Sequence, residues 1–492
     1  MPSWFRISPS AAVLFAALVV GACALLNLRQ PLVRNGFVYA RAAEHVIEHG
    51  YDPRPVVADS RLSYDKPVGF AWLAAPFVAA FGNHVGLRIV SLLGTLAYLL
   101  AVWRLLAAFD PFAFTANERA AALLVATLSP IVVYQGWSAH PDSLFAAVFV
   151  LAVALAIETV REPRTLRIAG VGALLLFGLW LKNYAMVLLP CTGLYWALHA
   201  RTLWRAGSRR TVVTNAVALA VVAAVIASAW SGSNPLLRVH GEGGGADQYG
   251  RGDLGLSAFG TCVQIALLLL VNVHAALCGC VRRAALRTAG REWRVLLCFP
   301  VPYVVLLLPF PTTFYNMRYF VPVLPFVAVF AIGGLRAFAP RARRAVLAAF
   351  TAVALLLIAL FDVAPLYRAC RPALPTLEVA WIGVPLSLLD NLRMPLHLDE
   401  QLWLDHTNAT LPQGAVLYFP DASYYGDARH GVYERAGLLR ADLATRYVAS
   451  RDWQPAEPHF WVQGLRRDPA FLQRFGDVTD HGLGLLEVRA RR

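Results

Sequence analysis

The chain has 492 residues, of which 58% are hydrophobic and 15% charged, and its mean hydropathy is +0.54. These values exclude an ordinary soluble globular protein and indicate a chain that crosses a membrane several times. A net charge of +14 would suggest a nucleic-acid partner in a soluble protein, but here the arginines lie in short loops between apolar blocks. That pattern reflects membrane topology, so no nucleic-acid partner is expected.

Apolar blocks of bilayer-spanning length recur along the first three quarters of the chain. The first, AAVLFAALVVGACALL, is followed by Asn27, Arg29 and Gln30 rather than by a small-residue cleavage site, so it is predicted to be a retained span. With the N-terminus in the cytoplasm, every inner loop carries arginine, as the positive-inside rule requires. The predicted spans, eleven in all, are residues 10–28, 85–108, 119–137, 143–160, 166–181, 183–200, 211–230, 258–281, 295–310, 319–338 and 345–364.

The first outer loop is predicted to carry surface helices. Counting PVGFAWLAAPFVAAFG, residues 67–82, as a full span would place the later arginine clusters outside, so this segment is predicted to be a short helix that does not cross. Lys66 then lies on the outer face. In GFVYARAAEHVIEHG, the spacing of Phe37, Ala40, Val46 and Ile47 predicts an amphipathic surface helix that ends at Gly50.

The chain changes character after residue 364. Short apolar runs such as GAVLYFP, PHFWVQGL and LGLLEV alternate with polar helical stretches, which is typical of a small α/β domain. The predicted fold is therefore an all-α polytopic membrane protein with a small C-terminal α/β extracytoplasmic domain. Its domains are predicted as residues 1–364, with outer-loop surface helices at about 29–82, and residues 365–492.

Ionisable residues near the membrane are functional candidates, because charge is costly there. Lys66 and Lys182 are the two lysines of the chain, whose other Lys/Arg positions are all arginine. A cluster with both signs of charge suits a reaction in which cations stabilise an anionic leaving group while a carboxylate deprotonates or orients an acceptor. On the predicted outer face the candidates are Glu44, Asp52, Asp59, Asp65, Lys66, His140, Asp142, Lys182 and Arg318.

Each candidate also has a purely structural interpretation. Lys66 could extend to the lipid headgroups, and Asp142 could cap the helix that follows it. Arg318 could be an interfacial anchor, and Lys182 could satisfy backbone carbonyls at a tight hairpin. Their coincidence on one face favours a shared functional role.

Five short motifs resemble those of the GT-C glycosyltransferases, especially bacterial relatives of the protein O-mannosyltransferases and of the aminoarabinose transferases that modify lipid A. YDKPVGFAWLAAP is similar to the acidic-Lys-Pro motif of the first outer loop in that family. The similarity continues, in the same order, through YARAAEHVIEHG, HPDS, LWLKNY and RYFVPVLPF, and it covers about the first 340 residues.

The resemblance implies a glycosyltransferase in the bacterial inner membrane, with its C-terminal domain in the periplasm. It would move a sugar from a polyprenyl-phosphate donor to a glycan, lipid or protein acceptor of the cell envelope, on the periplasmic side. Asp65 would orient Lys66 or take part in a site for a divalent metal ion, whose identity is left open. The resemblance implies donor-phosphate binding for Lys66 and Arg318, and Lys182 matches a recurrent lysine of the family and is predicted to share that role. The residues predicted for catalysis are Asp65, Asp142, Glu44 and Asp52, and those predicted for sugar or acceptor contacts are Asn35, Tyr39, Tyr64 and His140.

One position departs from the family pattern. The family usually has an aspartate just before the surface helix, in a pattern like Asp-Glu-x-x-Tyr, whereas this chain has Asn35 and Gly36, with Tyr39 retained. An amide cannot act as a general base. Either another carboxylate such as Glu44, Asp52 or Asp59 replaces it, or the acceptor is already an anion. A third alternative is a protein that binds, transports or assembles lipid-linked sugars without transferring them.

Overall fold

The computed structural model describes residues 8–28, 35–54, 67–206, 293–307, 314–363, 397–419, 439–447, 454–463, 472–481 and 485–490, with a few isolated positions besides. The predicted spans at 211–230 and 258–281 lie outside the described residues. So do Asp59, Tyr64, Asp65, Lys66 and the side chain of Asn35. The chain divides into two compact units, which are Met1–Asn27 with Asp65–Phe70 and Arg88–Met394, and Leu28–Tyr64 with Ala71–Leu87 and Pro395–Arg492.

The described part of the chain is mainly helical, and five of its helices are long and apolar enough to cross a membrane: Pro9–Leu26, Gly69–Ala108, Asp142–Arg161, Arg318–Leu335 and Pro340–Leu360. Two 3₁₀ turns, Asn183–Val187 and Phe314–Val323, interrupt the helical segments. The helices in chain order are α1 Pro9–Leu26, α2 Asn35–Glu48, α3 Gly69–Ala108, α4 Ala116–Thr127, α5 Pro130–Gln135, α6 Asp142–Arg161, α7 Thr165–Leu181, α8 Leu188–Leu198, α9 Ala200–Ala206, α10 Trp293–Cys298, α11 Pro300–Leu307, α12 Leu324–Leu335, α13 Pro340–Asp362 and α14 His397–Thr410.

The helices α1, α6, α7 and α13 match four predicted spans closely. The predicted span over 119–137 is divided between two helices, because the chain breaks between α4 and α5. Ser129 caps α5, with Oγ accepting from the Val132 amide at 3.3 Å, and Pro130 lies in the first turn, where its missing N–H costs nothing. The predicted helices over 183–200 and 319–338 likewise begin as the 3₁₀ turns, and that over 295–310 divides into α10 and α11.

Helix α3 is two helices joined by a sharp break at Gly82. The backbone there has φ 76° and ψ 168°, a conformation that is essentially restricted to glycine. A Cβ added to Gly86 would lie 2.5 Å from the Val78 amide nitrogen, so the chain just after the break passes close to the backbone just before it. The predicted boundary between the short helix at 67–82 and the span at 85–108 is therefore confirmed.

The core of the first unit is built mainly from alanine, leucine, valine and phenylalanine on α1, α3 to α8 and α10 to α13. Helix α6 is apolar and buried on most of its surface, as expected for a central helix of a membrane bundle. Its 20 residues rise about 30 Å, roughly the thickness of the bilayer core. Near its C-terminal end, Glu158 accepts hydrogen bonds from Arg104 at 2.8 and 2.9 Å.

In the second unit, α2 has the amphipathic character predicted from its sequence. Phe37, Ala40 and Val46 are buried, and the chain leaves the helix through Gly50 at φ 63°. Glu44, on the same helix, accepts hydrogen bonds from Asn83 and from Arg41.

The C-terminal part of the second unit contains a mixed five-stranded sheet. The predicted runs GAVLYFP, PHFWVQGL and LGLLEV each contain a strand. Its strands are β3 Val416–Phe419, β4 Ala444–Tyr447, β5 His459–Gln463, β6 Asp477–Asp480 and β7 Leu485–Arg489. In the strand order β4-β3-β5-β7-β6, β3 is parallel to β4 and β5, whereas β7 is antiparallel to β5 and β6. In the first unit, a separate two-residue ladder pairs β1 Glu378–Val379 with β2 Leu386–Ser387.

Candidate active site

A buried ionic cluster joins three of the residues predicted from the sequence. Asp142 Oδ1 lies 2.7 Å from Lys182 Nζ, and Asp142 Oδ2 lies 3.1 Å from Arg318 Nε. The exposed fractions of the three side chains are 2%, 10% and 1%, respectively. One carboxylate thus binds two cations inside the helical unit, which leaves the cluster with one surplus positive charge.

Each residue of the cluster occupies a break in helical structure. Asp142 is the first residue of α6, Lys182 lies in extended backbone after α7, and Arg318 lies in the second 3₁₀ turn. Such breaks are typical of ligand sites at membrane depth, where irregular backbone is tolerated inside the protein. The three breaks converge on one end of α6.

The structural interpretations considered for these residues do not fit their contacts. The cap of α6 is Pro141, and no side chain makes a capping hydrogen bond there, so Asp142 is not a helix cap. Arg318 is too deeply buried to be an interfacial anchor, and the Lys182 ammonium contacts a carboxylate. The three side chains instead contact one another.

The turn that precedes Asp142 is fixed to helix α3. The hydroxyl of Ser91 accepts from the His140 amide and donates to the His140 carbonyl, each at 3.0 Å, and Ser143 donates to the Ser91 carbonyl at 3.0 Å. A Cβ on Gly94 would meet the Ser143 hydroxyl at 2.7 Å, so the two segments are in close contact. His140 is fully buried in this turn.

Tyr319 completes the cluster and was not among the residues predicted from the sequence. Arg318 donates to the Tyr319 hydroxyl at 3.0 Å, and Lys182 Nζ lies 4.9 Å from the centre of the Tyr319 ring. Tyr303 donates to the Tyr319 carbonyl at 2.7 Å and so fixes the backbone of the turn. The only signal in the sequence was the position of Tyr319, next to Arg318 in RYFVPVLPF.

The packing around Gly69 explains why the motif YDKPVGF has a glycine at this position. A Cβ on Gly69 would lie 2.9 Å from the carbonyl carbon of Trp180 and closer still to its oxygen. The start of α3 therefore packs directly against the backbone that leads to Lys182. Only a residue without a side chain fits this approach.

The other described candidates belong to the second unit. Tyr39 is 2% exposed on α2, and Glu44 bonds Asn83 and Arg41. Asp52 accepts hydrogen bonds from the side chain and the amide of Arg54, and these bonds hold the pKa of Asp52 below its ordinary value.

Comparison with solved structures identifies the fold. The chain is similar to the crystal structure of ArnT from Cupriavidus metallidurans bound to undecaprenyl phosphate, with a TM-score of 0.54, 13% identity and 97% of each chain covered. The apo structure of the same protein gives a TM-score of 0.56, 15% identity and the same coverage. An oligosaccharyltransferase from Archaeoglobus fulgidus in its apo form gives a TM-score of 0.44 at 13% identity, over 92% of this chain and 65% of that one. No family model matches the sequence, and no curated protein matches it.

Proposed function

We infer that this chain, which has the fold of the GT-C membrane glycosyltransferases, transfers a sugar from a polyprenyl-phosphate donor to an acceptor of the bacterial cell envelope. The observation that carries this inference is the surplus positive charge of the buried Asp142–Lys182–Arg318 cluster. A buried excess cation is costly unless an anion joins it. The phosphate of a lipid-linked sugar is an anion that reaches membrane depth.

In the proposed reaction, the bond between the anomeric carbon and the donor phosphate oxygen breaks, and the carbon bonds to an acceptor oxygen. The departing polyprenyl phosphate keeps the electron pair of the broken bond. Lys182 and Arg318 would neutralise this anion and so stabilise the transition state, and the burial of both side chains strengthens the interaction. The proton of a hydroxyl acceptor would go to a carboxylate outside the cluster or to water.

We assign Asp142 a positioning role. A carboxylate that already binds an ammonium and a guanidinium is a poor proton acceptor. It can hold both cations at the separation that a phosphate needs. This refines the role that the resemblance implied, which was direct assistance at the sugar or the acceptor.

The remaining parts of the proposal follow the resemblance. Lys66 would join the phosphate site, and the packing of Gly69 against Trp180 supports this because both lie within three residues of a proposed phosphate ligand. A divalent metal ion at Asp65 belongs to the same proposal. The eleven spans, the periplasmic location of the site and of the C-terminal domain, and the bacterial inner membrane also remain proposals. Helix α6 is about as long as the bilayer core is thick, and the Arg104–Glu158 pair lies at the end opposite to the cluster. Both observations support the placement of the cluster on the outer side of the membrane.

The Asn35 position favours a second candidate, a protein that binds lipid-linked sugars without transferring them. Both candidates predict phosphate binding at the cluster, and only the transferase predicts a product. Asn35 is the first residue of α2, where the family usually has a carboxylate nearby.

Deletion of the gene separates the two candidates. Envelope glycans and lipids are compared by mass spectrometry in the deletion strain, complemented with wild type, Lys182→Gln, Arg318→Gln or Arg104→Gln. The transferase proposal predicts a sugar modification that is lost on deletion, restored by wild type and by Arg104→Gln, and not restored by the two cluster variants. Arg104 is the matched control, because its ion pair with Glu158 lies at the opposite end of α6. If the glycan and lipid profiles of the deletion strain are the same as those of cells that express the wild type, transfer is contradicted.

A further inference from the structure

The C-terminal end of the surface helix α2 carries a second group of side chains that suits a metal ion. His45 and Glu48 lie in α2 and His49 directly follows its last residue, and the spacing His-x-x-Glu-His places the three side chains on one side of the chain. One potential ligand atom from each side chain lies within 4.8 Å of the other two. We propose that these residues form a site for one divalent transition-metal ion of the zinc class.

The contacts of His49 prepare it for this role. His49 Nδ1 lies 2.8 Å from the backbone carbonyl oxygen of His45. Because a carbonyl can only accept, this bond requires a proton on Nδ1, which leaves the Nε2 lone pair for a metal. A hydrogen bond from the second ring nitrogen to a carbonyl is the usual support of a metal-binding histidine.

His45 and Glu48 supply the other two ligands. His45 Nδ1 lies 3.5 Å from Glu48 Oε2, and the rings of His45 and His49 are 4.1 Å apart between centroids. Ligands of a tetrahedral zinc ion lie about 3–3.5 Å apart, given zinc–nitrogen and zinc–oxygen bonds of about 2.0–2.2 Å. Small side-chain rotations would therefore bring the three atoms onto one ion.

The ligand set selects the class of metal. Two imidazole nitrogens and one carboxylate suit zinc and its neighbours in the transition series, whereas magnesium and calcium prefer oxygen. Three protein ligands leave at least one position for water or for an anionic ligand. This site is independent of the proposed glycosyl transfer and of the metal that the resemblance implies at Asp65.

Arg41 is expected to lower the metal affinity of the proposed site. Its guanidinium lies 3.1 Å from Glu48 Oε1 and 3.3 Å from Glu44 Oε2, so it competes with a cation for the Glu48 carboxylate. Removal of Arg41 should therefore increase the metal affinity. A cluster that serves only as a surface ion-pair network would not respond in this way.

The test measures zinc binding to the purified full chain, without a histidine tag, by competition with a chromophoric chelator. The proposal predicts one zinc ion per chain whose binding depends on His45, Glu48 and His49. His49→Ala should lower the affinity by about 100-fold or more, since loss of an outer partner alone typically costs about 10- to 100-fold. His49 and Glu48 are exposed and should be replaceable without unfolding the helix.

Further variants, and cobalt in place of zinc, test which residues bind the ion. Glu48→Gln should weaken binding, Arg41→Ala should strengthen it, and His199→Ala should leave it unchanged. Cobalt in place of zinc should show visible d–d absorption in the wild type that His49→Ala abolishes. The proposal is overturned by a chain that binds no stoichiometric zinc, or by binding that persists in His49→Ala and Glu48→Gln. Loss of zinc in Asp65→Asn but not in His49→Ala would also overturn it.

Discussion

The ammonium of Lys182 lies 2.7 Å from the carboxylate of Asp142, and both side chains are almost completely buried. The contact joins the backbone after α7 to the first turn of α6, and Arg318 binds the same carboxylate from a third segment. Since a buried charge requires a partner, the three side chains constitute one electrostatic unit.

Asp142→Asn should destabilise the chain, because it removes the anion and leaves two buried cations together. The loss should be roughly 3–5 kcal/mol, the usual cost of breaking a buried ion pair from one side. The unfolding transition of the detergent-purified protein measures it. The double variant Asp142→Asn/Lys182→Met restores a single surplus charge and should recover part of the loss. Additive losses in the double variant would refute the electrostatic unit.

Gly69→Ala should impair both stability and transfer, because the added Cβ meets the backbone of Trp180. Gly21→Ala is the matched control, since Gly21 lies inside α1 and, apart from its own helical turn, no atom lies within 4 Å of the added Cβ. In a helix interior that exchange is expected to stabilise by about 0.5–1 kcal/mol. Thermal midpoints in detergent and the glycan profile in cells compare the two. Equal behaviour of both variants would contradict the close approach of α3 to Trp180.

The first helix of α3 should not cross the membrane. A single cysteine in place of Phe81, which is 58% exposed, should react from outside intact spheroplasts with a reagent that cannot cross membranes. A cysteine in place of Arg164, in a predicted inner loop, should react only after permeabilisation. Both are introduced into a background without native cysteines. Protection of position 81 until permeabilisation would invert the predicted topology.

The C-terminal sheet should lose stability in acid through Glu487. Burial raises the pKa of Glu487, but hydrogen bonds from His481, Arg489 and His459 outweigh this effect and hold the pKa below its ordinary value. A glutamate with a lowered pKa stabilises the fold above its unfolded-state pKa of about 4.3, and this contribution is lost as the pH falls through the lower folded value.

Hydrogen exchange of the β7 amides in the full chain measures this effect. Glu487→Gln should reduce protection at neutral pH, and its difference from wild type should shrink below about pH 4. Asp442→Asn is the control variant, because it removes a more exposed ion pair, that with Arg440, from the segment that connects β3 and β4. A difference that stays constant across the acid range would show that Glu487 acts through packing alone.

The sequence predicted the parts of the fold that depend on local chemistry. Apolar length located α1, α6, α7 and α13, and the three apolar runs after residue 364 located β3, β5 and β7. The ends of helices at Lys182 and before the span at 319 were predicted, but the break at Ser129 and the 3₁₀ conformation of Asn183–Val187 and Phe314–Val323 were missed. A window of hydrophobic residues has the same appearance whether or not an α-helix continues through it.

The candidate site was predicted as residue types but not as contacts. Asp142, Lys182 and Arg318 were identified because they are charged residues next to apolar segments, where an ionisable side chain has a high free-energy cost. Their pairing depends on three distant segments that meet only in the folded chain. Tyr319 was missed because a tyrosine beside a membrane is usually an interfacial residue and carries no distinctive signal. His45, Glu48 and His49, the proposed metal ligands, were not among the candidates because both histidines lay inside a segment interpreted as a surface helix.

Binding of a polyprenyl monophosphate to the purified protein in nanodiscs tests the central claim most directly. The account predicts that wild type and Arg104→Gln bind the phosphorylated lipid tightly and the corresponding polyprenol weakly. Arg318→Gln and Lys182→Gln should each lose most of this discrimination, by about 10-fold or more for a charge-assisted contact of 1.5–3 kcal/mol. Equal binding of polyprenol and polyprenyl phosphate, or unchanged discrimination in both cluster variants, would contradict a phosphate site at Asp142, Lys182 and Arg318.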